Sequence, residues 1–198
     1  MQDHLWYEPL KPADEEKAKA AKPGPRFRIR MGSLLERAEF DAELDGKHQA
    51  SPVPPFMMLE AAIAGVAALL DDAAAAEITE LLRSFHGAPD GEEATELSPQ
   101  EKAQVSEVQS ILSDSWPPYN RLVERAVRYR KLVPLLALQR WVDDWENVTG
   151  IDGEPLTFER DKAGNIPDHV LRRLDLALIF AVGNRAHNFQ YAVGEEKN

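Results

Sequence analysis

Alternation of apolar and polar residues is strictest between Arg26 and Met31. In this segment Phe27, Ile29 and Met31 alternate with three arginines. A period of two places successive side chains on opposite faces of a strand. The pattern therefore predicts a short strand with one apolar and one basic face, which must pair with another strand of this chain or of a second molecule.

Most of the remaining chain follows the period of helices, and two helix starts are marked by capping boxes. Ser33 is followed three residues later by Glu36, and Ser98 is followed by Glu101. In such a box the serine oxygen accepts from the backbone of the glutamate, whose carboxylate accepts from the backbone of the serine. Helices are therefore predicted to begin directly after Ser33 and Ser98.

Two long apolar runs predict the main helices. Residues 56–85 are rich in Ala and Leu and contain no proline, which predicts one long helix, or two if Asp71-Asp72 starts a second. The run from Tyr119 to about Asn147 predicts the longest helix of the chain. Pro134 lies inside it and predicts a kink near Arg130.

The last third of the chain is punctuated by Gly and Pro. The spacing allows a small hairpin near residues 155–166, followed by a short helix from Pro167 to Arg173. Asp175 is positioned to cap a final helix that ends near Tyr191. The residues after it are polar, and 194–198 form a predicted tail.

Together these elements predict a mainly α fold. Residues 1–25, with four prolines around a charged run, are expected to form a flexible N-terminal arm. Residues 26–193 are expected to form a single helical domain with one short N-terminal β-strand.

Composition narrows the classes of function. The chain has 198 residues, a net charge of −11 and no cysteine, which excludes zinc ribbons, iron–sulfur clusters and cysteine nucleophiles. The excess of acid argues against nucleic acid as a partner. The apolar run Ala61–Leu70 falls far short of the about 20 residues of a membrane span, and the first four residues do not begin a secretory signal. No membrane association is expected.

Motifs for catalysis or metal binding are weak. No two histidines are four residues apart, and no nucleophile elbow or phosphate-binding glycine loop occurs. Asp143, Asp144 and Glu146 form the best carboxylate cluster, but adjacent residues on a helix point about 100° apart, which favours a solvated helix face. Arg185 and Asn188, three residues apart, are more typical of structural hydrogen bonds than of a ligand site.

Charge is distributed in segments along the chain. Residues 71–114 are strongly acidic, whereas residues 115–140 contain six basic residues and one acid. Arg121, Arg125 and Arg128 are spaced to form one stripe along a helix. This stripe either packs against the acidic segment of the same chain, which short connections favour, or binds an acidic partner.

The order of elements resembles the tail assembly chaperones of long-tailed, siphovirus-type phages and prophages. The likeness covers roughly residues 26–198: the R-F-R-I-R strand, the capped helix, the Ala-rich helix, the basic aromatic helix, Phe158-Glu159-Arg160 and the segment from Pro167 to Leu174. It implies a mainly helical, acidic, non-catalytic protein without a cofactor, located in the cytoplasm of the bacterial host. The resemblance also implies two partners, the tape-measure protein, which the chaperone coats, and the tail tube protein, which displaces it.

A chaperone of this kind needs an apolar groove for a helical partner. Self-association is expected through the strand at 26–31 or through Trp6-Tyr7. The residues predicted to bind partners are Phe27, Ile29, Arg121, Arg125, Arg128, Trp141 and Trp145. Two alternatives remain open: a phage protein that binds and modulates a bacterial host protein, and a metal-dependent enzyme that uses Asp143, Asp144 or Glu146.

Overall fold

A computed structural model describes residues 4–10, 23–86, 97–162 and 164–191. Residues 11–22 of the predicted arm and the predicted tail at 194–198 lie outside these ranges. The described chain is mainly helical and contains a three-stranded sheet, which confirms the predicted fold class. The strands are β1 (His4–Tyr7), β2 (Arg26–Arg30) and β3 (Val142–Glu146).

The helices follow the sequence signals closely up to Ser115. They are α1 (Leu34–Ala42), α2 (Pro55–Leu69), α3 (Asp72–His86), α4 (Pro99–Ser115), α5 (Pro117–Trp141), α6 (Asp168–Leu171) and α7 (Leu176–Tyr191), with a π-helical turn at Glu43–Lys47 after α1. Both predicted capping boxes are present. The Ala-rich run is two helices, because the Asp71 carboxylate accepts from the backbone N–H of Ala74 and starts α3.

The chain divides into two compact units. Unit 1 comprises Met1–Lys47 and Arg130–Asn198, and unit 2 comprises His48–Tyr129. Unit 2 is built from α2, α3, α4 and the first half of α5, around a core of Ala62, Val66, Ile78, Leu82, Val105, Leu112 and Tyr119. Unit 1 contains the sheet, α1, the second half of α5, α6 and α7.

The sheet of unit 1 is antiparallel in the order β1-β2-β3. Phe27 of β2 lies opposite Trp145 of β3 and Tyr7 of β1, and these side chains share the buried face. The prediction of a strand at residues 26–31 is confirmed. His4–Tyr7, which was predicted to belong to a flexible arm, is instead the outer strand beside β2, because Leu5 and Tyr7 continue the same apolar face.

The prediction that α5 continues to Asn147 is wrong. The helix ends at Trp141, and the next five residues form β3. The segment Val142–Glu146 gains more as a strand, because Val142 and Trp145 then bury themselves against Ile29 and Phe27. A register shift between Arg28 and Ile29 accommodates the pairing.

Arginine side chains satisfy the backbone at this change from helix to strand. Arg160 donates to the carbonyl oxygens of Gln139 (3.2 Å) and Val142, and Arg30 donates to that of Arg140 (3.2 Å). Carbonyls at the end of a helix have no partner within the helix, and cations near them are favourable. The two guanidinium groups therefore stabilise the place where α5 stops.

The segment after β3 contains backbone hydrogen bonds but no further strand within its described residues. Thr149 and Pro155 form an isolated β-bridge, and the hairpin predicted near residues 155–166 has no strand in its described part. Within this range the N–H of Asp161 donates to the carbonyl of Asn165 at 2.8 Å. The Trp145 indole N–H donates to the carbonyl of Leu156 at 2.8 Å and fixes the start of this segment.

A close contact fixes α7 against the buried half of α5. A Cβ atom built on Gly183 would lie 2.0 Å from the carbonyl oxygen of Pro134, so only glycine fits there. Val182 and Ala186, on either side of this contact, are fully buried. The glycine therefore sets the distance between the two helices.

We predict that Gly183→Ala destabilises unit 1 by about 1–3 kcal/mol, because the added methyl group meets backbone that cannot move aside cheaply. Gly46→Ala is the matched control, since a Cβ at Gly46 meets no atom within 4 Å. Urea unfolding of both variants, followed by circular dichroism, measures the difference. Equal midpoints for Gly183→Ala and the wild type would show that the two helices are not held this closely.

Candidate functional site

The carboxylates of the best predicted cluster lie on β3 and not on a helix, and they are ion-paired. Asp143 accepts from Arg28 Nε at 2.8 Å, and His4 Nε2 lies 3.2 Å from its other oxygen. The remaining pairs are Arg28 with Asp144 at 3.8 Å and Arg26 with Glu146 at 3.6 Å. The arginines of β2 thus face the acids of β3 across the polar side of the sheet, with Trp6 stacked 4.6 Å from Arg26.

No metal centre emerges from the residues that the structure describes, because no three or more histidine and acidic side chains among them are placed so that they could hold a metal ion. Among the same residues no helix is both long enough and apolar enough to cross a bilayer.

Four of the predicted partner-binding residues are in the core of unit 1. Phe27, Ile29 and Trp141 are 0% exposed and Trp145 is 5% exposed. Their aromaticity and spacing reflect packing within the chain, so they present no surface to a partner. β2 also cannot pair with a second copy, because β1 and β3 occupy both of its edges.

Unit 1 contains a charged pocket of about 540 Å³. Arg30 binds the Glu36 carboxylate through both terminal nitrogens, at 2.8 and 3.2 Å, and Arg140 pairs with Glu43 at 2.8 Å. Arg160, the third arginine of the pocket, is engaged with backbone carbonyls, and burial lowers its pKa. These side chains hold unit 1 together and are already satisfied, which leaves little capacity for a ligand.

Gln190 is a structural residue that sequence reasoning missed. Its side chain is fully buried, accepts from the Gly32 N–H at 2.7 Å and donates to the carbonyl of Arg30 at 3.0 Å. It therefore joins the end of α7 to the end of β2. The polar cluster before it in α7 has no comparable contact: Arg185 and Asn188 are both exposed.

The surface of unit 2 is less used in contacts within the chain, and α2 forms part of it. This helix of 15 residues contains one charged side chain, Glu60. Its inward side packs closely, since a Cβ on Gly65 would lie 2.6 Å from Leu112 and 2.7 Å from Trp116. Apart from Glu60, its outward side is also apolar: Phe56 is 61% exposed, and Ala64 and Ala67, which follow at helical spacing, are exposed too.

A groove of about 570 Å³ runs between this face of α2 and the first half of α5. Its lining residues are Met57, Glu60 and Ala61 from α2 and Pro118, Arg121, Leu122 and Arg125 from α5. Each set follows the spacing of one helix face, so one face of α2 and one face of α5 line the groove. It has an apolar floor with two arginines on one wall and one glutamate on the other.

The three arginines of the predicted stripe differ in their contacts. Arg121 is exposed and has no hydrogen bond or ion pair with any described residue. Arg125 is half-buried and donates to the Ser51 hydroxyl. Arg128 pairs with Glu124 of its own helix at 2.7 Å and also donates to Gln49. Only Arg121 of the three thus presents an uncommitted guanidinium at the groove.

Comparisons with known proteins give no family: no protein-family model, curated protein or solved structure matches this chain.

The charged pocket of unit 1 makes stability depend on pH. Hydrogen bonds from Arg30, and then from the Ser33 backbone, lower the pKa of Glu36 from its ordinary 4.5 to about 2. A carboxyl whose pKa is lower in the folded protein stabilises the fold above pH 4.5, and this stabilisation is lost as the pH falls towards 2.

We therefore predict that Glu36→Gln is less stable than the wild type at pH 6, and that the difference shrinks as the pH is lowered to 3. Glutamine preserves the capping box but removes the charge. Thermal unfolding of both proteins at a series of pH values measures this difference. A gap of constant size over this range would contradict the assigned role of the Arg30–Glu36 pair.

Proposed function

We propose that this protein is a non-catalytic tail assembly chaperone that binds a helical segment of a phage tape-measure protein. The proposal combines the resemblance of the order of elements to this family with the surface of unit 2. The observation that carries it is the outward apolar face of α2, bordered by the groove. The proposed site of action is the cytoplasm of the bacterial host.

An apolar helix face that no described residue covers is unusual on the surface of a folded chain. A helix that is apolar on nearly all sides is normally buried on nearly all sides, yet Phe56 of α2 is 61% exposed, and Ala64 and Ala67 are exposed too. Large exposed apolar patches mark sites of protein interaction. The outward face of α2 therefore supports a function in which a second apolar surface is covered.

The apolar lining of the site suits one face of a helix. The groove lies between two helices, and Met57, Ala61 and Leu122 are apolar side chains that line it. An amphipathic helix places apolar residues every three or four positions and can fill such a floor with one face. A tape-measure protein is expected to be long and helical, so it offers segments of this kind.

The charge of the chain suits a chaperone. A net charge of −11 keeps a protein dispersed while its apolar face is occupied by an aggregation-prone partner. Release to tail-tube subunits requires only that these bind the tape-measure protein more tightly. Self-association, the other interaction expected, has a candidate edge in β1, which pairs with β2 on one side only within the described residues.

We predict that Ala64→Glu abolishes the ability of the protein to keep its tape-measure protein soluble on co-expression. The introduced carboxylate would be buried without a partner in the complex, which weakens binding by about tenfold or more. Ser110→Glu, on an exposed position of α4 in the same unit, is the matched control. The soluble tape-measure fraction is measured with each variant, and circular dichroism checks that both variants fold.

Two results would contradict the proposal. One is an undiminished soluble fraction with Ala64→Glu, because the face of α2 would then have no part in binding. The other is recovery of a host protein but no tail protein when the wild-type chain is isolated from infected cells.

A further inference from the structure

The two walls of the groove differ in charge. The α5 wall carries Arg121 and the side chain of Arg125, whereas the α2 wall carries Glu60. Any helix lying in the groove has one edge beside arginine and the other beside glutamate. The walls can therefore distinguish helices that have the same apolar face but different charges at its edges.

We infer that the occupant of the groove is an amphipathic helix with a row of carboxylates along one edge of its apolar face and no acid along the other. This inference rests on the proposed function and specifies the chemistry of the partner. The acidic edge lies along α5, and the opposite edge, neutral or basic, lies along α2.

Arg121 is the residue that carries this inference. It is exposed, lines the groove and forms no ion pair with any acid among the described residues. Glu124, the one acid of the first half of α5, is committed to Arg128 at 2.7 Å and to Asn120. A guanidinium beside an apolar floor favours a planar carboxylate as partner, since the two form paired hydrogen bonds.

The spacing along α5 extends the match to a second position. Arg121 and Arg125 are four residues apart, which is roughly 6 Å along a helix axis. Arg125 also lines the groove, and its guanidinium donates to the Ser51 hydroxyl. Two carboxylates one turn apart on the partner would meet Arg121 and the mouth of the groove beside Arg125.

Glu60 gives the partner a single direction. Turning a helix end for end, with its apolar face kept against the floor, exchanges its two edges. A helix with one acidic edge would then place that edge against Glu60, where like charges repel. The asymmetry of the walls therefore selects the orientation of the partner as well as its charge.

Three helical peptides of equal length and identical apolar face test the inference with the full chain. The first has Glu at two positions one turn apart on one edge, the second has Gln at those positions, and the third has Glu on both edges. Fluorescence anisotropy measures binding at about 0.15 M salt. We expect the first peptide to bind roughly threefold to tenfold more tightly than the second, and the third to lose part of that gain.

Charge variants locate the effect. Arg121→Glu is expected to remove the preference for the first peptide, whereas Arg130→Glu, which makes the same change of charge on the opposite side of α5, is expected to retain it. Glu60→Gln is expected to restore tight binding of the third peptide. Each of these results supports the assignment of one wall.

The outcomes that overturn the inference differ from those that overturn the proposed function. Equal binding of the first two peptides, unchanged by Arg121→Glu but lost with Ala64→Glu, overturns the inference about charge and leaves the outward face of α2 as the binding site. Binding of no peptide overturns both. A dimer of the full chain that Ala64→Glu converts to a monomer identifies a second copy as the occupant and also overturns the inference.

Discussion

The pairing of β2 between β1 and β3 is the interaction on which unit 1 depends. It joins segments more than one hundred residues apart in sequence, as the bond between Arg28 and Asp143 illustrates. One face of the pairing buries Phe27 against Trp145, and the other aligns arginines with acids. Because both faces of β2 are satisfied by the same register, a slip by one residue would bury the arginines and is strongly disfavoured.

This pairing also determines where the polar groups of unit 1 are used. Once β3 is in the sheet, α5 must stop at Trp141, and the carbonyls it leaves are met by Arg30 and Arg160. Arg30 in turn lowers the pKa of Glu36, which caps α1. The carboxylates that the sequence suggested as a catalytic or metal-binding cluster are thus used in ion pairs within unit 1. The surface that is less used in such contacts is in unit 2.

Elements that depend on contacts within a few residues could be predicted from the sequence. Features that depend on residues far away in the chain could not. The strand at Arg26–Arg30, the two capping boxes and the break at Asp71 all follow from neighbours within a few residues. β3 was predicted as helix because Val142–Glu146 continues a helical apolar pattern, and only its contact with β2 reverses this. Gln190 was missed for the same reason: its partners, Gly32 and the carbonyl of Arg30, are far away in sequence. At the groove, the sequence predicted the stripe of three arginines. It could not predict which of them has no hydrogen bond or ion pair with a described residue.

The overall charge and the local charge of unit 2 act on a partner at different distances. The chain carries −11, so an acidic helix is repelled on approach, yet Arg121 attracts it once the two are in contact. Salt screens charges separated by more than roughly 8–10 Å far more than it screens a close pair. Moderate salt therefore favours encounter while preserving the contact at the groove, and high salt weakens both. By this argument an acidic chain with one cationic wall is expected to repel acidic helices in general and to bind one whose apolar face fills the groove.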